Sequence, residues 1–182
     1  MSDLRYPIGE FRHSGPLGPQ GRPQCIARIA AAPGRLRAAV EGLGPEQLDT
    51  PYRGAGWTAR QVVHHLADSH ANGYIRFRLA LTAHTPVITP YDEPAWARLP
   101  DAAAGPVELS LTLLEALHPR WVLLLEQMGP ENWSRSYHHP GQRRDIGLEE
   151  AVALYAWHGE HHTAHITSLS ARMGWRRPAG VS

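Results

Sequence analysis

The stretch LYAWHGEHHTAHITSL, residues 154–169, constrains this chain more than any other. It places four histidines, His158, His161, His162 and His165, within eight positions. Ala151, Val152, Tyr155, Ile166, Leu169 and Met173 recur around them at helical spacing, so the stretch reads as part of one helix. His161 and His165 are four apart, an offset of roughly 40° and a rise of about 6 Å, so both imidazoles point the same way. A helix offers two nitrogens to one metal ion in this manner. His158 and His162 have the same spacing, so spacing leaves the pair open. Packing alone does not ask for imidazole, which must be desolvated and partnered at each ring nitrogen.

Length and composition exclude several alternatives. A chain of 182 residues suits one domain with a real core. The formal net charge of +1 supplies no strong field for nucleic acid or an anionic membrane. All eighteen basic residues are arginines, which excludes a lysine nucleophile or Schiff base. Cys25 is the single cysteine, so no internal disulfide forms, as suits a reducing cytoplasm. It sits in an apolar helical pattern with Ile26 and Ile29 and reads as packing. The N-terminal MSDLRYPIGEFRH lacks the apolar region of a signal peptide, and no apolar run approaches membrane-spanning length.

Along the chain, residues 1–22 are rich in Pro and Gly and read as an irregular arm laid over the body. The body runs from 23 to 176, and 177–182 form a tail. A first helix is expected from Pro23 to about Leu43, with a kink or break at Pro33–Gly34. One turn follows at Pro45–Leu48. A second helix begins at Trp57–Thr58, where Thr58 and Gln61 form a capping box, and runs to about Ala83. Gly73 weakens it by about 1 kcal/mol relative to Ala. A long proline-rich connection leads to a third helix, from about Val107 to Met128. Pro140–Gly141 marks the turn of a short hairpin between Gly129 and Ile146. The last helix begins near Gly147–Leu148, with Glu149 and Glu150 suiting its dipole, and stops near Met173–Gly174. Four amphipathic helices without strong strand periodicity predict an all-α four-helix bundle with long irregular connections.

Two histidines leave a metal under-coordinated, since a catalytic zinc site has three protein ligands and one open position. The third is expected in VVHHLADSH on the second helix. His64 and His65 are adjacent and diverge by roughly 100°. His65 shares a face with Val62, Leu66 and Ser69, whereas His64 lies with Arg60, Asp68 and Ala71, so face logic favours His65. His70 fits no pair. His138 and His139 lie in a loop that could form a rim, and His13, His84 and His118 have no assigned role.

The runs LDTPYRGAGWTARQVVHHLADSHANGYIRFRLAL, PYDEPAW, LHPRW and LYAWHGEHHTAHI, with YPIGE near the start and RMGW at the end, closely resemble the YfiT family of the DinB-like superfamily. The resemblance spans nearly the whole chain. It implies a four-helix bundle and a cytoplasmic homodimer with one zinc or nickel ion per subunit, zinc being the more expected metal. Carried over residue by residue, it implies His65, His161 and His165 as ligands. Glu160 departs from the family's pattern, where a histidine stands, so it carries no role over and is expected to be solvated.

Three neutral imidazoles leave a divalent ion's charge uncompensated, so its open position favours water or a thiolate. The resemblance implies two activities. One is a bacillithiol-type S-transferase, joining a low-molecular-weight thiol to an electrophilic substrate. The other is a metal-dependent hydrolase using water. The first is favoured here; a metal-binding stress protein without turnover is the non-enzymatic alternative. Arg53, Arg76, Tyr91 and Asp92 lie in or near the family-like loops, where they could bind a charged thiol. Asp68 could orient a histidine ring or contact His64.

Overall fold

The structure, a computed structural model, describes residues 3–175; the expected tail at 177–182 lies outside them. Four long helices carry the fold: α1 (Gly21–Val40), α3 (Ala59–Thr82), α6 (Val107–Glu126) and α8 (Leu148–Arg172). Thr58 caps α3 as its sequence predicts. Its side chain accepts from Gln61 N–H, and the Gln61 side chain accepts from Thr58 N–H. The short helix α2 (Pro45–Leu48) matches the single turn expected there.

The connection from α3 to α6 is less irregular than its prolines suggest. It holds two short helices, α4 (Glu93–Trp96) and α5 (Pro100–Ala104), each with proline in its first turn. After α7 (Pro130–Trp133), the hairpin forms from β1 (Ser136–His139) and β2 (Arg144–Gly147), antiparallel, with Tyr137 opposite Ile146. Both of those side chains enter the core.

The expected break at Pro33–Gly34 does not occur. Helix α1 runs through Pro33, whose missing N–H leaves the Ile29 carbonyl without its helical donor. That carbonyl is satisfied from another helix, as described below.

Helix α8 packs against α1 and α3, and α6 packs against the same two. The first two long helices, α1 and α3, therefore sit on one diagonal of the bundle and the last two, α6 and α8, on the other, so α3 and α8 become neighbours. This places the histidines of the second predicted helix beside those of the last. The core divides into two apolar clusters along the bundle. One centres on Phe77, Trp121 and Tyr155, the other on Leu36, Val62, Leu114 and Ile166. No described helix is long and apolar enough to cross a membrane.

Candidate metal centre

On α3, His64 and His65 diverge as adjacent helical residues must. His64 turns to α6 and its approach: one ring nitrogen meets Ser110 Oγ at 2.7 Å and the other the Gly105 carbonyl at 3.2 Å. Asp68, the partner considered for His64, is not bonded to it. Burial raises the Asp68 carboxyl to about 6, with Asp101 adding to the rise. His65 turns to α8 and meets four more imidazoles there. Its ring lies 5.3 Å from His158 and 4.7 Å from His162; His161 and His165 lie 4.3 Å apart, with His162 touching both. All four of the α8 histidines thus join one cluster with His65.

Aromatic walls hold these rings. Tyr52 stacks on His165 at 4.0 Å, Trp157 stacks on His161 at 4.2 Å, and Trp57 lies 4.6 Å from His65. The N-terminal arm crosses the same place: Tyr6 approaches His161, and Phe11 packs on Trp157. His165 Nε2 donates to the Arg5 carbonyl at 3.1 Å. A carbonyl can only accept, so this bond makes His165 the Nε2–H tautomer and leaves its lone pair on Nδ1. Sequence reasoning missed these walls, because no spacing rule links residues 6, 52, 57 and 157.

The donor set fits a cation. The Nδ1 atoms of His161, His162 and His165 are buried and have no hydrogen-bond partner. An unsatisfied buried polar atom costs roughly 1–3 kcal/mol, so the three call for a partner, and the lone pair on His165 Nδ1 calls for one that accepts electrons. Desolvation holds the rings neutral: burial, with His161 and His165 nearby, lowers His65 to about 4, and burial with His165 lowers His161 to about 4. Neutral imidazole is the ligating form. Two triads are available. His65 with His161 and His165 is the set implied by the family resemblance. His65 with His158 and His162 has ligand atoms that all lie within 4.8 Å of one another.

Behind this cluster runs a buried line of imidazoles that no sequence spacing predicts. His118 Nδ1 donates to the Ile29 carbonyl at 2.6 Å, His118 Nε2 meets His70 Nδ1 at 3.0 Å, and His70 Nε2 meets His158 Nδ1 at 3.3 Å. His158 Nε2 then faces His65 Nε2 at 3.3 Å. The carbonyl fixes the direction of every bond. His118 must carry its proton on Nδ1, so its Nε2 accepts from His70 Nδ1–H. His70 Nε2 in turn accepts from His158 Nδ1–H. The lone pair of His158 therefore lies on Nε2 and points into the cluster. His70 and His118, expected to be without a role, are both buried here.

The remaining sequence candidates are scattered around this centre. Arg53 lies over the Tyr52 ring and bonds the Tyr52 hydroxyl at 3.2 Å, next to the His165 stack. Tyr91 packs on Trp96 at 4.3 Å. Arg76 bonds the Tyr155 hydroxyl at 3.2 Å. Asp92 accepts from Ala95 N–H at 2.8 Å and caps α4, which occupies its carboxylate. Glu160 is not simply solvated: it pairs with Arg28 at 2.6 Å and Arg35 at 2.7 Å on α1. His138 pairs with Asp145 across the hairpin at 2.7 Å, apart from the cluster.

The DinB superfamily model matches residues 28–166, which contain the whole histidine cluster. A Bacillus cereus protein named "Putative metal-dependent hydrolase" is 51% identical over 175 residues, covering 96% of this chain and 100% of its own length. The Bacillus subtilis protein YfiT is 49% identical, covering 95% of this chain and 97% of its own. This chain belongs to the YfiT family of the DinB superfamily. The solved structure of Bacillus subtilis YfiT, described as "a probable metal-dependent hydrolase with an unusual four-helix bundle topology", superposes with a TM-score of 0.93 at 49% identity, over 95% of this chain and 99% of that one. A second solved four-helix bundle, TT2238, matches with a TM-score of 0.53 at 21% identity, over 82% of this chain and 98% of that one, and supports the fold alone. The diagonal placement of α1 against α3 and of α6 against α8 gives this YfiT-family chain the α3–α8 contact on which its histidine cluster depends.

Proposed function

We propose that this chain is a metal-dependent enzyme whose ion, zinc before nickel, is held by His65, His161 and His165, and that it transfers a low-molecular-weight thiol of the bacillithiol type to an electrophile. The observation that carries metal binding is the group of buried, unpartnered imidazole nitrogens in a cluster of neutral rings. When bound, a divalent ion on neutral ligands lowers the pKa of a thiol or water beside it. The chain's own residues supply the rest. Tyr52, Trp57 and Trp157 fix the ring planes and exclude water. His158 Nε2 directs a lone pair toward His65 within the cluster, and burial keeps His158 neutral, so the thiol would give its proton to solvent and react as thiolate. The thiol sulfur then forms a bond to carbon, and the leaving group departs with its electron pair. Arg53, Arg76 and Tyr91 border this region as substrate-binding residues; Asp92 joins them only through the loop that it caps.

The second reading is hydrolysis, with water as nucleophile. The names of the Bacillus relatives favour it. Reconstituted protein is incubated with a thiol panel that includes bacillithiol plus monochlorobimane, beside a panel of esters and amides. Thiol-dependent adduct formation lost in His161→Ala supports the transferase. Thiol-independent cleavage with the same metal dependence replaces it with the hydrolase. Metal binding with silence in both panels favours a metal-binding protein without turnover.

A further inference from the structure

Among the described residues Arg53, Arg76 and Arg135 are partly buried arginines outside every ion pair, and of these Arg76 keeps a buried guanidinium N–H without a partner. Arg22 pairs with Glu149, Arg28 and Arg35 with Glu160, Arg60 with Asp49, and Arg144 with Glu150. Arg76 enters none of the ion pairs among the described residues. Its Nη1 donates to the Tyr155 hydroxyl at 3.2 Å, and its Nε–H is buried with no partner. The charge is felt by Tyr91, Tyr137, Tyr155 and His139 around it, and by Glu93, which does not pair with it. A guanidinium withdrawn from water with an unanswered N–H is a donor fork shaped for an oxyanion.

Its position ties it to the histidine cluster. Ser69, Asn72 and Arg76 fall on the same face of α3 as His65, each within roughly 40° of it. Arg76 lies about 16 Å along the helix from His65, and helical side chains lean back toward the N-terminus, here toward His65. Across the interface, Tyr155 receives the Arg76 hydrogen bond, and its ring lies 6.3 Å from His158. Arg76, Tyr155, His158 and His65 thus form a continuous line between α3 and α8.

We infer that Arg76 is an anion subsite for the substrate: its Nε–H and Nη groups receive a carboxylate or phosphate set off by a spacer from the atom that reacts at the histidines. This rests on reading the histidine cluster as the reaction centre. The substrate is then an organic oxyanion, and Arg76 selects for its charged end.

Two measurements test it separately from the thiol chemistry. Arginine Nε–H resonances of the wild-type protein are followed by NMR while succinate, inorganic phosphate or neutral succinamide is added at constant ionic strength. The Arg76 resonance, assigned through Arg76→Lys, should shift saturably with succinate or phosphate and stay still with succinamide; which anion acts identifies the oxyanion. Calorimetry on reconstituted protein then compares mercaptosuccinate with 2-mercaptoethanol. The charged thiol should bind about tenfold more tightly or better, and Arg76→Met, checked for native unfolding behaviour, should abolish that preference. An Arg76 resonance unmoved by both anions overturns the subsite, as does a preference that survives Arg76→Met. If the anion shift holds but neither thiol binds, the subsite stands and the thiol reading fails.

Discussion

His118 donates to the carbonyl of Ile29, the carbonyl that Pro33 leaves without its helical donor. A proline in α1 thereby orients a histidine in α6, and through His70 the orientation passes to His158 in α8. Long-range proton–nitrogen NMR at neutral pH should find His118, His70 and His158 all protonated on Nδ1. His118→Phe should remove the constraint, so that His158 shows the other tautomer or a mixture. A wild-type His158 protonated on Nε2 would refute the chain's direction.

The ligand set is decided by metal content. Chelator-stripped and reconstituted His65→Ala, His161→Ala and His165→Ala should lose most of the bound ion, whereas His158→Ala and His162→Ala should keep it. Elemental analysis reads the result directly. The reverse pattern at 158 and 162 would move the ion to the triad of His65, His158 and His162, whose ligand atoms lie within 4.8 Å.

Acid should weaken both the fold and the metal site. In the unfolded chain histidine titrates near about pH 6.5, while burial holds His65 and His161 at about 4 in the fold. Between those values the unfolded chain binds more protons. Stability is therefore full above about pH 6.5 and is lost progressively as pH falls toward 4. The urea midpoint of metal-free protein should fall across that window. Metal affinity should drop between about pH 7.5 and 5, with more than one proton taken up per ion released. A flat midpoint and an unchanged affinity would contradict neutral-imidazole ligation.

Gly73→Ala should destabilise the protein, although helix propensity alone predicts the opposite. A Cβ at this position would stand 2.5 Å from the Tyr155 ring and 2.8 Å from Trp121. Overpacking of this kind costs roughly 1–3 kcal/mol, and thermal unfolding would measure it. A stabilised variant would show that α3 and α8 can move apart freely.

Cys25→Ala should retain activity, because the buried thiol is raised in pKa by desolvation and packs in the core of α1. Loss of turnover with intact folding would assign it a chemical role. The homodimer implied by the family resemblance should appear in sedimentation at micromolar concentration. Leu109, Leu113 and Leu123 on α6 are among the large apolar side chains exposed in the single chain; a monomer would exclude the dimer.

The sequence by itself determined the four helices, the Thr58 cap, the hairpin and the concentration of histidines on the last helix. Each follows from local chemistry: apolar period, capping side chains, turn residues. It also distinguished His65 from His64, because adjacent helical residues must face apart. Tertiary structure decided what those rules cannot reach. Pro33 stays inside α1 because a donor 89 residues away satisfies Ile29. Gly73 is needed because Tyr155 and Trp121 press on it from other helices. His70 and His118 looked unpaired because the line they form draws on all four long helices. Helical periodicity shows which way a side chain points, but only the packing of α3 between α6 and α8 shows what it meets there.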